Sequence, residues 1–344
     1  MINSSDVSVV VQGPISDQTY KTIESIRHFL PESEIILSTW KSSDTKNLRV
    51  DKLILNEEPL SYIQHERTQT RNNLNKLLRS TNAGLRQVNT RYVLKIRSDM
   101  QIESLRFLKH YEAFQKKGKY SCLKSKILVP LLFSRYKYHG KITPFHVSDW
   151  FAFGLTQDVR KVFLGTKEVE EPAFTEYFLH VLDYKSPYGS TTFKMSPEQY
   201  ITYEFYRRNF NETKLMDCAK WEGDANLISQ QFIVCNFIVG SFFETGIKCL
   251  KYPFSTNERA YGLSYQEMIN ELFYRELYKE YCDREYQIPL EIVKYFSNIN
   301  KIALKNRYQK HLNNFQKVKG LKKVEEFFSL IYCYIIYLLR NKNA

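Results

Sequence analysis

Apolar residues in the first hundred positions fall into short continuous runs separated by amphipathic stretches. Val7-Ser8-Val9-Val10-Val11 stops at Gln12-Gly13-Pro14, the pattern of a buried strand running into a tight loop. Ser16 or Asp17 then stands where it caps a helix, whose apolar positions Tyr20, Ile23, Ile26 and Leu30 recur at helical spacing and end before Pro31. Glu34-Ile35-Ile36-Leu37-Ser38-Thr39-Trp40 and Lys52-Leu53-Ile54-Leu55-Asn56 read as two more strands, and Leu74, Leu77, Leu78 and Leu85 predict a helix over residues 64–86. The next run, Tyr92-Val93-Leu94-Lys95-Ile96, breaks abruptly into Arg97-Ser98-Asp99. Strands of a parallel sheet are buried on both faces and read as unbroken apolar runs. Strand, helix, strand, strand, helix, strand therefore describes a Rossmann-like α/β sheet with crossover helices.

Residues 120–255 alternate short apolar runs with polar stretches and read as the same domain continuing. From Tyr265 onward the spacing turns helical, through Met268, Ile269, Leu272, Phe273, Leu277 and Tyr281. The expected organisation is a catalytic domain over 1–260 and an α-helical region over 261–344.

Composition narrows the class. A hydrophobic content of 43% argues for a folded chain, and 25 Tyr and 23 Phe supply rings that bury well and also stack on sugars or bases. The formal charge of +13 implies an anionic partner. No acid occurs between Glu291 and Glu325, whereas Lys294, Lys301, Lys305, Arg307, Lys310, Lys317, Lys319, Lys322 and Lys323 all do. The apolar run at 327–339 that follows is too short to span a bilayer, and reads either as a helix in the membrane interface or as one docked on a core. Six scattered cysteines and an N-terminus without a signal-peptide pattern point to a reducing cytoplasm.

Charge at the carboxyl end of a buried strand falls where open α/β sheets bind ligands, so Arg97 and Asp99 mark a site. An arginine fork there suits a phosphate oxygen, and an aspartate suits a divalent cation. Gly-x-Gly-x-x-Gly is missing, which disfavours a nicotinamide or flavin cofactor.

Five stretches taken together resemble the WavE family of bacterial surface-polysaccharide proteins: residues 7–15, 34–40, 94–100, 148–154 (Ser148-Asp149-Trp150-Phe151-Ala152-Phe153-Gly154) and 196–200 (Ser196-Pro197-Glu198-Gln199-Tyr200). That resemblance implies a GT-A-type glycosyltransferase, moving a sugar from a nucleotide-activated donor to a lipopolysaccharide, capsule or other surface-glycan acceptor. It makes Gln12, Gly13, Pro14, Trp40 and Asn56 candidates for the nucleotide pocket. The acidic Asp-x-Asp position of such enzymes reads Arg97-Ser98-Asp99 here, leaving two options. Either Asp99 alone anchors Mg²⁺ or Mn²⁺, or Arg97 neutralises the leaving phosphate without a metal. Inversion needs a carboxylate base. Asp149 among aromatics and Glu198 after Pro197 are the two candidates, with His139 and His146 flanking the first. Arg67, Arg71, Asn72, Asn73 and Asn75 crowd one expected helix, and Asn72 is assigned to nucleotide contact. The expected partners are the nucleotide sugar, a glycan or glycolipid acceptor, and an anionic membrane surface on which the protein lies peripherally. A basic nucleic-acid- or membrane-binding protein and a nucleotidyltransferase on a related sheet are the alternatives; nucleic acid is disfavoured by the lack of any reading motif.

Overall fold

The computed structural model describes residues 2–65, 70–138, 140–169, 195–218, 220–251, 267–317 and 319–342. The chain divides into two compact units, Met1–Tyr286 and Gln287–Ala344. The expected boundary at 260/261 lies outside the described residues.

The first unit is built on a seven-stranded sheet. β1 (Val7–Gln12) leads into α1 (Asp17–Phe29), β2 (Glu34–Trp40) and β3 (Lys52–Asn56). A hairpin, β4 (Tyr62–His65) and β5 (Thr70–Asn72), precedes α2 (Leu74–Arg86), β6 (Tyr92–Arg97), β7 (Met100–Ile102) and α3 (Arg106–Ala113). Then come β8 (Ile127–Pro130), the hairpin β9 (Arg135–Tyr138) and β10 (Lys141–His146), β11 (Phe151–Leu155) and α4 (Thr156–Phe163). After the segment 170–194 follow α5 (Pro197–Arg207), the small pair β12 (Lys214–Leu215) and β13 (Trp221–Glu222), α6 (Ala225–Asn236), β14 (Phe237–Gly240), α7 (Phe242–Thr245), β15 (Ile247–Cys249) and α8 (Glu271–Tyr281).

Strand order is β14-β8-β11-β6-β1-β2-β3, parallel except for β11, which runs against both β6 and β8. This is the expected mainly parallel, GT-A-like α/β sheet with flanking helices. Val7, Val9, Val10, Val11, Ile35, Ile36, Leu37, Val93, Leu94 and Ile96 are all fully buried, which is why these strands carry unbroken apolar runs. Gly84 on α2 lets the helix lie directly on β1, because a Cβ there would come within 2.4 Å of Val10 Cγ1.

The helix expected over 64–86 begins only at Leu74. All four leucines that carried its periodicity lie in the observed helix, and the residues before them have no such period. Thr70, Arg71 and Asn72 instead pair in the hairpin, and the Asn72 Oδ1 atom accepts the Leu74 N–H at 2.9 Å, offering the backbone a cap rather than another helical turn. Arg71 and Asn72 therefore stand on a strand and Asn75 in the helix; Arg67 and His139 lie outside the described residues.

Many of the rings pack in the interior. Phe107, Phe145, Phe151, Phe153, Phe205, Phe232, Tyr206, Tyr274 and Tyr278 are buried, many of them edge-to-face, as in Phe107 against Phe153 at 5.0 Å.

The second unit is a pair of helices, α9 (Leu290–Lys317) and α10 (Leu321–Lys342), turned at Gly320 with φ +65°. Glu326 ties them, accepting from His311 Nδ1 at 2.5 Å and from Asn314 Nδ2 at 3.0 Å. Leu321, Val324, Phe327, Phe328 and Tyr332 of α10 are exposed. Among the described residues no helix is long and apolar enough to cross a membrane.

Candidate active site

Parallel pairing of β1 with β6 sets Gln12 opposite Arg97, so the two strands end side by side. At the end of β1 the chain turns through Gly13 with φ +117°, a conformation open to glycine and strained for other residues. The turn is held from both sides: Gly13 N–H donates to Ser38 O at 3.2 Å and Ser98 N–H to Gln12 O at 3.0 Å. Ser98 Oγ closes the junction by donating to Pro14 O at 2.6 Å. Gly13, Pro14, Arg97, Ser98 and Asp99 thus form one continuous edge.

Other predicted residues lie along the same carboxyl edge in more structural roles. Gln12 is buried, and its Oε1 accepts from Ser80 Oγ of α2 at 2.8 Å. Trp40 is buried opposite Asn56 in the β2–β3 register. The Asn56 amide donates to Ser38 Oγ and Thr39 O, both at 2.9 Å, tying β3 to β2. Asn75 exchanges two hydrogen bonds with the Val169 backbone, at 2.7 and 2.9 Å. Asn72 differs, for its buried Nδ2 has no acceptor among the described residues.

The charged centre lies at the end of β6. Arg97 grips Asp99 with two bonds, Nε to Oδ1 at 2.9 Å and Nη2 to Oδ2 at 2.5 Å, and its guanidinium stacks on Trp150 at 4.3 Å from the ring centre. Lys95, two residues back on a strand covered on both faces, is completely buried; its Nζ donates to the backbone carbonyl of Asp149 and lies 5.4 Å from the centre of the Phe163 ring. Burial pulls the ammonium down to about 8, against the Asp149 carboxylate, which holds it up, and Arg97, which lowers it further.

The structure brings the two carboxyl groups, Asp149 and Glu198, into one electrostatic neighbourhood. Asp149, in the loop between β10 and β11, is almost fully buried. Burial raises its carboxyl above the ordinary range; Lys95 and Arg97 pull it back, while Glu198 pushes it up. Glu198 sits in the first turn of α5, whose Ser196 cap accepts the Gln199 N–H at 3.1 Å, and keeps part of its surface open. Burial raises this carboxyl too, opposed by its own N–H, the Ser196 hydroxyl, Arg135 and Arg97.

Sequence reading missed Lys95 and Arg135 as members of this centre. Arg135 begins β9 opposite His146 of β10. His146 is buried, its Nδ1 bonds Phe133 O at 2.9 Å, and burial together with Arg135 depresses it to about 3, so the ring is a neutral structural member rather than an anion ligand. Phe133 adopts φ +65°, a strained value for an aromatic residue, and its ring packs 4.9 Å from Trp150.

Asp99, the expected metal ligand, is engaged by a cation. Both Asp99 oxygens are held by Arg97, and no group of three His, Cys, Asp or Glu side chains with metal-binding geometry occurs among the described residues. A cavity of about 410 Å³ lined by Asn89, Arg91, Lys124 and Arg160 lies at the amino end of β6, on the opposite edge from this chemistry.

A mainly parallel sheet with flanking helices, and a glycine turn, a stacked and paired arginine and two raised carboxyls at its carboxyl edge, define a mixed α/β protein of GT-A-like architecture. The chain belongs to the WavE lipopolysaccharide synthesis family, whose model matches residues 7–309. No curated protein matches it. The family match reaches across all five stretches on which the resemblance rested and onward into α9, farther than the resemblance itself extended.

Proposed function

We propose that the protein is a glycosyltransferase that carries a sugar from a nucleotide-activated donor to a lipopolysaccharide or other surface-glycan acceptor. The observation that supports this best is the meeting of Arg97, Lys95 and the Asp149/Glu198 pair at the carboxyl edge beside Gly13. In this reading the nucleotide lies over the ends of β1, β2 and β3, with Gly13 allowing its phosphates close to the backbone. Glu198, the more open carboxyl, takes the proton of the acceptor hydroxyl as that oxygen attacks the anomeric carbon. The bond from the anomeric carbon to the phosphate oxygen breaks, and the electron pair leaves on the phosphate, beside Arg97. Asp149 and Lys95 hold the field at the reacting centre, and a preorganised charge in a water-poor site outweighs the same charge in solvent. No step passes through a metal.

Release of free nucleotide from a panel of nucleotide sugars, with lipopolysaccharide core or lipid-linked glycan as acceptor, tests the reading. Glu198→Gln is expected to lower kcat by about 10²- to 10⁴-fold, the range for loss of a general base, with KM for the donor nearly unchanged. Turnover equal to wild type removes Glu198 from the mechanism, and turnover of no nucleotide sugar by wild type defeats the reading.

A further inference from the structure

The cations of the site are not equally committed. Asp99 neutralises Arg97 through two bonds, and Lys95 is buried against a carbonyl oxygen. Among the described residues the Arg135 guanidinium has no hydrogen bond or ion pair, and its buried Nε lacks an acceptor. Its contacts are aromatic, with the guanidinium carbon 4.2 Å from the centre of Tyr138 and 5.0 Å from that of Phe133. Phe133 in turn packs on Trp150, which carries Arg97 on its ring. Arg97, Trp150, Phe133, Arg135 and Tyr138 therefore form a continuous ladder of two guanidinium groups and three rings, and the strained backbone of Phe133 stands in the middle of it. Ring stacking fixes the plane of a guanidinium while leaving its in-plane N–H groups open. A second unmet polar atom lies close along the chain path: among the described residues the buried Ser148 Oγ has no partner, and Ser148 N–H bonds the hydroxyl of Ser134, the residue before Arg135.

We infer that Arg135 is the oxyanion receptor of this site, its open fork taking a phosphate or carboxylate group of the substrate. An arginine within electrostatic reach of Glu198, with the rings of Tyr138 and Phe133 against its guanidinium and no hydrogen bond or ion pair among the described residues, can offer two parallel N–H···O bonds to a planar or tetrahedral anion. The inference rests on the transferase reading only for where the anion comes from: the phosphate of the donor, or the carboxylate of an acidic sugar.

Calorimetric titration of the full chain with inorganic pyrophosphate and, separately, with glucuronate tests it, using wild type, Arg135→Lys and Arg135→Met. Loss of the fork is expected to weaken binding by about tenfold or more in Arg135→Met, with Arg135→Lys between. A loss confined to pyrophosphate assigns the phosphate, and a loss confined to glucuronate assigns the acidic sugar. If Arg135→Met does not fold, the same comparison is made with Arg135→Lys, which keeps the charge and the stem. Equal binding by the folded variant and wild type, or no binding of either anion by wild type, overturns the inference. The two readings fail separately. Arg135→Met turning over a nucleotide sugar with unchanged KM defeats the receptor but not the transferase, whereas Arg135-dependent anion binding without turnover of any nucleotide sugar defeats only the transferase.

Discussion

Protonation links the residues of the site. Raised carboxyls at Asp149 and Glu198 move the acid limb of kcat/KM above the usual carboxylate range near 4, because the base must lose its proton to work. Repulsion between two carboxylates is mutual, and Glu198 pushes Asp149 up, so Asp149→Asn is expected to move the limb to lower pH; a profile of kcat/KM from pH 4 to 8 measures it. Stability carries a separate signature. His110 and His146 are both depressed by burial to about 3, so below the ordinary histidine pKa of about 6.5 the unfolded chain binds protons that the folded one refuses. Their contribution is complete above pH 6.5 and is lost as pH falls toward 3, by about 1.4 kcal/mol per pH unit for each histidine. The raised carboxyls act in the opposite sense, adding stability as pH falls through their folded-state values toward about 4. Urea midpoints at pH 7 and 5.5 are expected to fall less in His146→Asn than in wild type; an equal fall contradicts the assignment. The sequence carried a sign for one of the residues that reading missed: Lys95 interrupts an apolar run on a strand covered on both faces, where a charge needs a reason. Arg135 carried none, because its importance lies in what surrounds it, two rings and no acceptor, and spacing along a chain does not encode that.

At the level of elements, strands were the legible part. β-branched and aliphatic runs named β1, β2 and β6 almost to the residue, because burial on both faces leaves little room for polar positions, and the edge strand β3 was named by its Leu-Ile-Leu run although its leucines are exposed. The start of α2 was misplaced because Thr70, Arg71 and Asn72 have no periodicity of their own and were joined to the leucines that follow. The aromatic excess pointed to stacking surfaces, whereas many of the rings fill the space between sheet and helices. Asp149 and Glu198 were picked from local motif, but their meeting depends on the reversed β11 and on α5, a long-range arrangement with no local mark. The closeness of α2 to β1 gives a direct test. Gly84→Ala sets a methyl against Val10 Cγ1, a stiff β-branched side chain in a full core, and is expected to cost about 1–3 kcal/mol by urea denaturation. No loss would mean that α2 lies farther from the sheet.

For the whole molecule, the family implies a glycan acceptor in general, and the formal charge of +13 suits an anionic partner. Basic residues of α9 precede an α10 surface on which Leu321, Val324, Phe328 and Tyr332 are exposed. We propose that this unit rests on anionic lipid, each basic residue near the surface contributing about 1 kcal/mol at low salt. Sedimentation with phosphatidylglycerol vesicles is expected at low salt and release at high salt, with little binding to phosphatidylcholine; equal binding to both lipids would contradict an electrostatic anchor. The account as a whole depends on a nucleotide sugar occupying the edge where β1 and β6 end. The most direct measurement is thermal unfolding of the full chain with a panel of nucleotide sugars, free nucleotides and nucleic acid, in wild type and in Arg97→Met. One nucleotide sugar is expected to stabilise wild type, by about 2.7 kcal/mol at a hundredfold excess over its Kd, and Arg97→Met much less. Stabilisation by nucleic acid alone, or an identical shift in the variant, would contradict it.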